Sequence, residues 1–260
     1  MGRLEVSDPR FERGGVRHVT VKSPALRGRG DLTLYVPPGR GPMPIAILLH
    51  GIYSSHWAWV ARGGVHRTAA RLIRRRAIRP MVLAMPSDGL WGDGSGYVRH
   101  DGRDFERWIV HDVVEATCRV VPSAARRGRL FIAGLSMGGH GALRLGAKYP
   151  DRFAAACGLS SVTNLRQLAA NIEEDWRAWG VPEHEASLRQ FLLRRRRRLP
   201  AIRFDCGRDD PLIAANRRLH EALATAKIPH VYEEFPGAHD WAYWERHVAD
   251  ALKFFDRVRG

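Results

Sequence analysis

The chain has 260 residues, 45% of them apolar, with 42 Lys and Arg against 27 Asp and Glu for a net charge of +15. This is enough apolar material for one large α/β core, and no apolar run approaches the roughly 18 residues of a membrane-spanning helix. The charged start MGRLEVSDPR reads against a secretory signal, and Val6 stands where a myristoylation signal wants Ser or Thr, so a cytoplasmic location is expected.

In chain order, VRHVTVKS (Val16–Ser23) and DLTLYVP (Asp31–Pro37) are read as strands forming an antiparallel edge pair. Short runs rich in Ile, Val, Leu and Ala follow at Ile45–His50, Met81–Pro86, Arg129–Gly134, Phe153–Leu159, Ala201–Gly207 and His230–Pro236, as suits strands covered on both faces. Helical patterns lie between them over His66–Ile78, Asp104–Val121, Gly139–Tyr149, Leu212–Lys227 and Trp241–Val258, several with a proline just past the end. Strands alternating with helices predict a single α/β domain over residues 1–260, with a mostly parallel central sheet and helices on both faces. Residues 160–200 exceed what a simple crossover needs and are read either as a helical cap over the site or as two packed helices.

Cys118, Cys157 and Cys206 are far apart, each in an apolar stretch, which predicts reduced core residues and neither a disulfide framework nor a metal knuckle. The arginine excess gathers at Arg71–Arg79 and Arg194–Arg198, each run beside a helical apolar pattern, so solvated helix faces are expected. Charge alone confers salt-sensitive, non-specific affinity for polyanions; without a basic motif interleaved with aromatics, no specific nucleic-acid partner is expected.

The stretch FIAGLSMGGHGAL (Phe131–Leu143) reads as a buried strand, a serine among glycines, and a helix start. Gly134-Leu135-Ser136-Met137-Gly138 fits G-x-S-x-G, the nucleophile elbow of α/β-hydrolases, with the strand before it and helix after it that the motif requires. Such a turn raises Ser136 Oγ above the carboxyl edge of the sheet and puts the Met137 N–H at a helix N-terminus, where developing negative charge is favoured. A serine hydroxyl needs a base and an orienting carboxylate. CGRDDPLI offers Asp209 and Asp210 past one strand end, and EEFPGAHDW offers His239 past the last, in the chain order Ser, Asp, His of these hydrolases. His50-Gly51 closes an early strand, so the Ile52 N–H is expected as the second oxyanion donor beside Met137, while His50 itself is expected to shape the loop.

Through LLHG, GLSMGGHGAL, DCGRDDPLIAANRRLHEAL and PGAHDWAYW, the sequence resembles the esterase D type of α/β-hydrolases from Ile45 onward. That superfamily includes S-formylglutathione hydrolases, acetylxylan and feruloyl esterases, small bacterial tributyrin esterases and mycolyltransferases. The resemblance implies an α/β-hydrolase fold and, from the position of Cys206, Asp210 as the acid in place of Asp209. It departs from S-formylglutathione hydrolases at Ile52, Tyr53 and Ser54, where their cysteine-bearing loop would stand.

The expected activity is a cofactor-free serine carboxylesterase acting on small-molecule, short-chain esters, acetylated or feruloylated carbohydrates among them, through Ser136, His239 and Asp210. An acyltransferase using the same site and a polyanion-binding protein on a hydrolase scaffold are the alternatives. Trp57, Trp59, Trp91, Tyr97 and Trp241 are candidates for an aromatic wall around the substrate. Asp88 and Asp93 lack the spacing of a calcium loop, and no metal is expected.

Overall fold

The computed structural model describes residues 2–39, 41–124 and 130–259; Arg129, where one strand was expected to start, lies outside them. Runs of β-branched and aliphatic residues cannot leave either strand face in water, so these strands stack side by side under helices. The main sheet comprises β1 (Leu4–Val6), β2 (Val16–Ser23), β3 (Gly28–Tyr35), β4 (Ile45–Leu49), β5 (Val82–Pro86), β8 (Leu130–Leu135), β9 (Phe153–Leu159), β10 (Ala201–Gly207) and β11 (Val231–Phe235). A separate small hairpin pairs β6 (Arg99–His100) with β7 (Arg103–Asp104). The sheet order is β1-β2-β3-β5-β4-β8-β9-β10-β11. Strands β2 and β3 form the expected antiparallel pair, and β3 then pairs antiparallel with β5; from β5 across to β11 every neighbour is parallel.

Helices α1 (Ala58–Ala61), α2 (Val65–Arg74) and α9 (Trp241–Val258) cover one face. The other carries α3 (Phe105–Arg107), α4 (Val113–Val120), α5 (Met137–Lys148), α6 (Glu183–Ala186), α7 (Leu188–Arg194) and α8 (Ile213–Thr225). The period of two in β4 divides the core: Ile45, Ile47 and Leu49 join the cluster under α5, while Ala46 and Leu48 join the cluster under α2 and α9. On the face covered by α2 and α9, Phe131 stacks on Phe255 with ring centroids 4.9 Å apart. Truncating either ring to Ala would cost about 3–5 kcal/mol.

Helix α9 has the bounds the sequence predicts, because the Asp240 side chain caps it by accepting the Tyr243 N–H at 2.9 Å. Helix α5 begins two residues before the predicted Gly139, directly after Ser136. The predicted helix over Asp104–Val121 is interrupted by a π-helical turn at Trp108–Asp112. Within residues 160–200 the structure contains two 3-10 turns, Leu165–Leu168 and Trp176–Trp179, before α6 and α7. Gly180 at φ 69° and Pro182 prevent a longer helix there. This segment packs Trp176, Trp179, Leu188 and Phe191 into the core, and Glu185 reaches Arg144 of α5 at 2.7 Å.

The arginine runs fall at the C-terminal ends of α2 and α7, with Arg71, Arg74 and Arg194 in the last turns, where cations complement the helix dipole. All three cysteines are buried. Among the described residues no helix is long and apolar enough to cross a membrane.

Candidate active site

A strand that must reverse into a helix within one residue needs a backbone conformation that side chains normally avoid. Between β8 and α5 that residue is Ser136, at φ 54° and ψ −118°. Such a conformation costs a non-glycine residue on the order of 1–3 kcal/mol and persists only where the surroundings enforce it. Here they do. A Cβ on Gly134 would lie 2.1 Å from the Gly138 carbonyl oxygen, and one on Gly138 would lie 2.5 Å from the backbone oxygens of both Leu49 and His50. Glycine is therefore required on both sides of the serine for its neighbours to approach.

Two further loops at the carboxyl edge of the sheet bring their side chains to this turn. Asp210 follows β10, and His239 lies between β11 and α9. Ser136 Oγ lies 3.0 Å from His239 Nε2, and His239 Nδ1 lies 2.8 Å from Asp210 Oδ2. Since the carboxylate can only accept, Nδ1–H donates to Asp210 and Nε2 is left to accept from the serine hydroxyl. Burial pushes the Asp210 carboxyl up, but hydrogen bonds from His239 and from the Leu212 N–H (2.8 Å) outweigh it and hold the group below its ordinary value. Asp209 stays exposed and donates its N–H to the Gly237 carbonyl at 3.0 Å, tying the two loops together. The Trp244 ring meets His239 edge to face at 5.0 Å.

The loop after β4 closes the other side. A Cβ on Gly51 would stand 3.3 Å from Ser136 Cβ, so the Ile52 segment passes directly against the turn. Among the described residues, neither the Ile52 nor the Met137 N–H has a hydrogen-bond acceptor. His50 spends both ring nitrogens on the backbone: Nδ1–H donates to the Gly51 carbonyl at 2.7 Å and Nε2 accepts the Asp88 N–H at 3.1 Å. Burial keeps its pKa low, which suits a neutral ring in this role. The Asp88 carboxylate in turn accepts the Leu90 and Ser95 N–H groups at 3.1 and 2.7 Å.

Ser136 and His239 face a cleft of about 570 Å³. Of the five aromatic residues singled out from the sequence, Trp57 and Trp241 line it. The other three belong elsewhere. Trp59 is buried with its indole N–H on the Leu49 carbonyl at 3.1 Å, and Tyr97 is fully buried with its hydroxyl on the His50 carbonyl at 3.0 Å. Trp91 packs on His100 at 4.8 Å and on Phe105. Large rings with a polar tip fill the space under loops when a backbone acceptor is at hand, which removes Trp59 and Tyr97 from the cleft wall, while Trp91 is drawn aside by its ring contacts. Sequence reasoning missed Trp244, Val162, Leu168 and Leu212, all of which line it. Trp244 had a readable signal, since it sits three residues after Trp241 on the same helix face; the other three come together only through long-range packing.

A mostly parallel sheet with a strained serine at a strand-to-helix turn, and with a histidine and buried carboxylate within hydrogen-bond reach, is an α/β-hydrolase fold. The chain belongs to the Esterase family, whose model matches residues 23–255. It is similar to an acetyl esterase of Caldicellulosiruptor saccharolyticus, 30% identical over 231 residues that cover 81% of this chain and 82% of that protein. In fold it is similar to a ferulic acid esterase (TM-score 0.82, 24% identity, 99% of each chain covered). It likewise resembles an S-formylglutathione hydrolase of Staphylococcus aureus (TM-score 0.77, 20% identity, 100% of each chain covered). The protein is thus a carboxylic ester hydrolase.

Proposed function

We propose that the protein is a serine carboxylesterase that works through an acyl-enzyme, with Ser136 as nucleophile, His239 as general base and acid, and Asp210 as the residue that orients His239. The observation that carries this reading is the unbroken hydrogen-bond chain from Ser136 Oγ to His239 (3.0 Å) to Asp210 (2.8 Å) at the floor of an open cleft. His239 Nε2 takes the Ser136 proton as Oγ attacks the ester carbonyl carbon. The carbonyl oxygen becomes an oxyanion held by the Ile52 and Met137 N–H groups; losing one such donor typically costs on the order of 10²–10³ in rate. Collapse breaks the bond to the alcohol oxygen, which leaves with the proton from His239. Water then gives a proton to Nε2 and attacks the acyl carbonyl; the second collapse releases the acid and returns the proton to Ser136.

The substrates in this reading are small, short-chain esters, with acetylated or feruloylated carbohydrate alcohols as the class, in keeping with the acetyl esterase relative. Trp57 and Trp241 flank the ester, and the chain acts as one domain in which residues 160–200 form a cap, since Leu168 and Asn171 reach the cleft. Hydrolysis of 4-nitrophenyl esters from acetate to long chain tests the reading. Turnover should be highest for short acyl groups and vanish in Ser136→Ala; equal, feeble rates in both proteins would contradict it.

A further inference from the structure

Arg62 stands between two hollows. On one side it lines the cleft of Ser136 and His239, its guanidinium carbon 5.7 Å from the centroid of the Trp241 ring. On the other it lines a second cleft, of about 720 Å³, between the N-terminal segment and α2. The cations of that second cleft are Arg13, Arg62, Arg67 and Arg71, and its carboxylates are Glu12 and Glu245. Glu12 is already engaged, by Arg17 at 2.8 Å and by the Ser7 hydroxyl at 2.9 Å.

Among the described residues, none of the four arginines pairs with a carboxylate. Arg13 donates only to the Arg10 and Glu12 carbonyls, and Arg71 reaches only Thr68 Oγ1, at 3.4 Å. This contrasts with the arginines that serve the fold. Arg144 is held by Glu106 and Glu185, and Arg203 by Asp205 and Glu233. Guanidinium groups are planar forks suited to two parallel hydrogen bonds with a carboxylate or phosphate, so several of them uncompensated around one concavity favour an oxyanion there. The other arginine concentration, Arg194 to Arg198, borders a hollow that shares no residue with the cleft of Ser136.

We propose that the second cleft is an anion subsite joined to the catalytic cleft through Arg62, and that the ester substrate carries a carboxylate or phosphate on the end that runs past Trp241. The proposal rests on the esterase reading of Ser136. It names a substrate class that the hydrogen-bond chain alone does not.

The test compares kcat/KM for charged and neutral esters of matched size at low ionic strength. In the acyl arm, the 4-nitrophenyl ester of succinate is set against that of monomethyl succinate. In the alcohol arm, an acetylated sugar phosphate is set against the same acetylated sugar without phosphate. The charged ester should be favoured by roughly tenfold in at least one arm, which also tells carboxylate from phosphate. That ratio should fall toward one in Arg67→Ala and Arg71→Ala and in about 0.5 M salt, where exposed charges are screened. A ratio at or below one in both arms, with brisk turnover of the neutral esters, overturns the subsite and leaves the esterase reading standing. No Ser136-dependent turnover of any of the four esters overturns both.

Discussion

Both carboxylate oxygens of Glu174 accept the Asp93 N–H, at 3.1 and 3.2 Å. Asp93 in turn accepts the Glu173 N–H at 2.6 Å through its side chain and the Tyr53 N–H at 3.0 Å through its carbonyl. The segment before α6 therefore grips the loop after β5, which holds the residue next to Ile52. If Ile52 supplies an oxyanion donor, Glu174 is a positioning residue for it. Glu174→Ala should lower kcat by roughly three- to thirtyfold with KM little changed, and Glu174→Gln, which keeps one acceptor oxygen, should recover most of that loss. Matching losses in kcat for both variants, or a change confined to KM, would count against this role.

Asp210→Asn keeps the shape of the side chain but replaces the acceptor that fixes Nδ1–H of His239. The expected fall in kcat is on the order of 10³–10⁴, with the protein still folded. Because its hydrogen bonds depress the Asp210 carboxyl, its contribution to stability is present above the unfolded value of about 3.9 and is lost as pH falls through the lower folded value. A fall of less than about tenfold in a folded Asp210→Asn protein would argue against Asp210 as the residue that orients His239.

Buried imidazoles weaken the fold in acid, His140 and His100 most clearly. Burial drives His140 down to about 3 and His100 down to about 4. Below about pH 6.5 the unfolded chain protonates both while the folded chain does not, so each lowers stability by up to about 1.4 kcal/mol per pH unit until its folded value is reached. Buried Glu106, whose carboxyl is pushed up by burial but brought below its ordinary value by Arg144, Tyr149 and Lys148 together, adds its own loss below about pH 4.3. Urea midpoints should decline steadily from pH 7 to pH 4; a plateau from 7 to 5 would show that the imidazoles are protonated in the folded state.

The Tyr243 hydroxyl donates to Asp205 Oδ1 at 2.8 Å, beneath the first turn of α9 and just beyond His239. Asp205 is fully buried beside Arg203, and burial pushes its carboxyl up. Tyr243→Phe leaves that oxygen without its donor and should cost about 1–3 kcal/mol in chemical denaturation. A neutral result would mean that the pair contributes nothing net to the fold.

What the sequence could disclose follows from how local each determinant is. The Ser136 turn was legible because glycine, serine and the flanking strand and helix occupy one continuous stretch. The bounds of α9 were legible because the Asp240 cap lies next to the first helical residue. Spacing alone left Asp209 and Asp210 open; the two differ in which one turns inward beneath His239, and that depends on the Asp209 N–H bond to Gly237 in another loop. The fates of Trp59 and Tyr97 were illegible for a related reason. Their acceptors, the carbonyls of Leu49 and His50, are backbone groups at the end of β4, and a backbone acceptor leaves no residue-type trace in the chain.

Every catalytic step proposed above depends on Ser136 being the nucleophile. Reaction with a fluorophosphonate, followed by peptide mapping, measures this without depending on the choice of substrate. One adduct per chain on the peptide containing Ser136, formed in step with loss of esterase activity and absent in Ser136→Ala, is the predicted result. An adduct at another residue, or esterase activity that survives in Ser136→Ala, would contradict it.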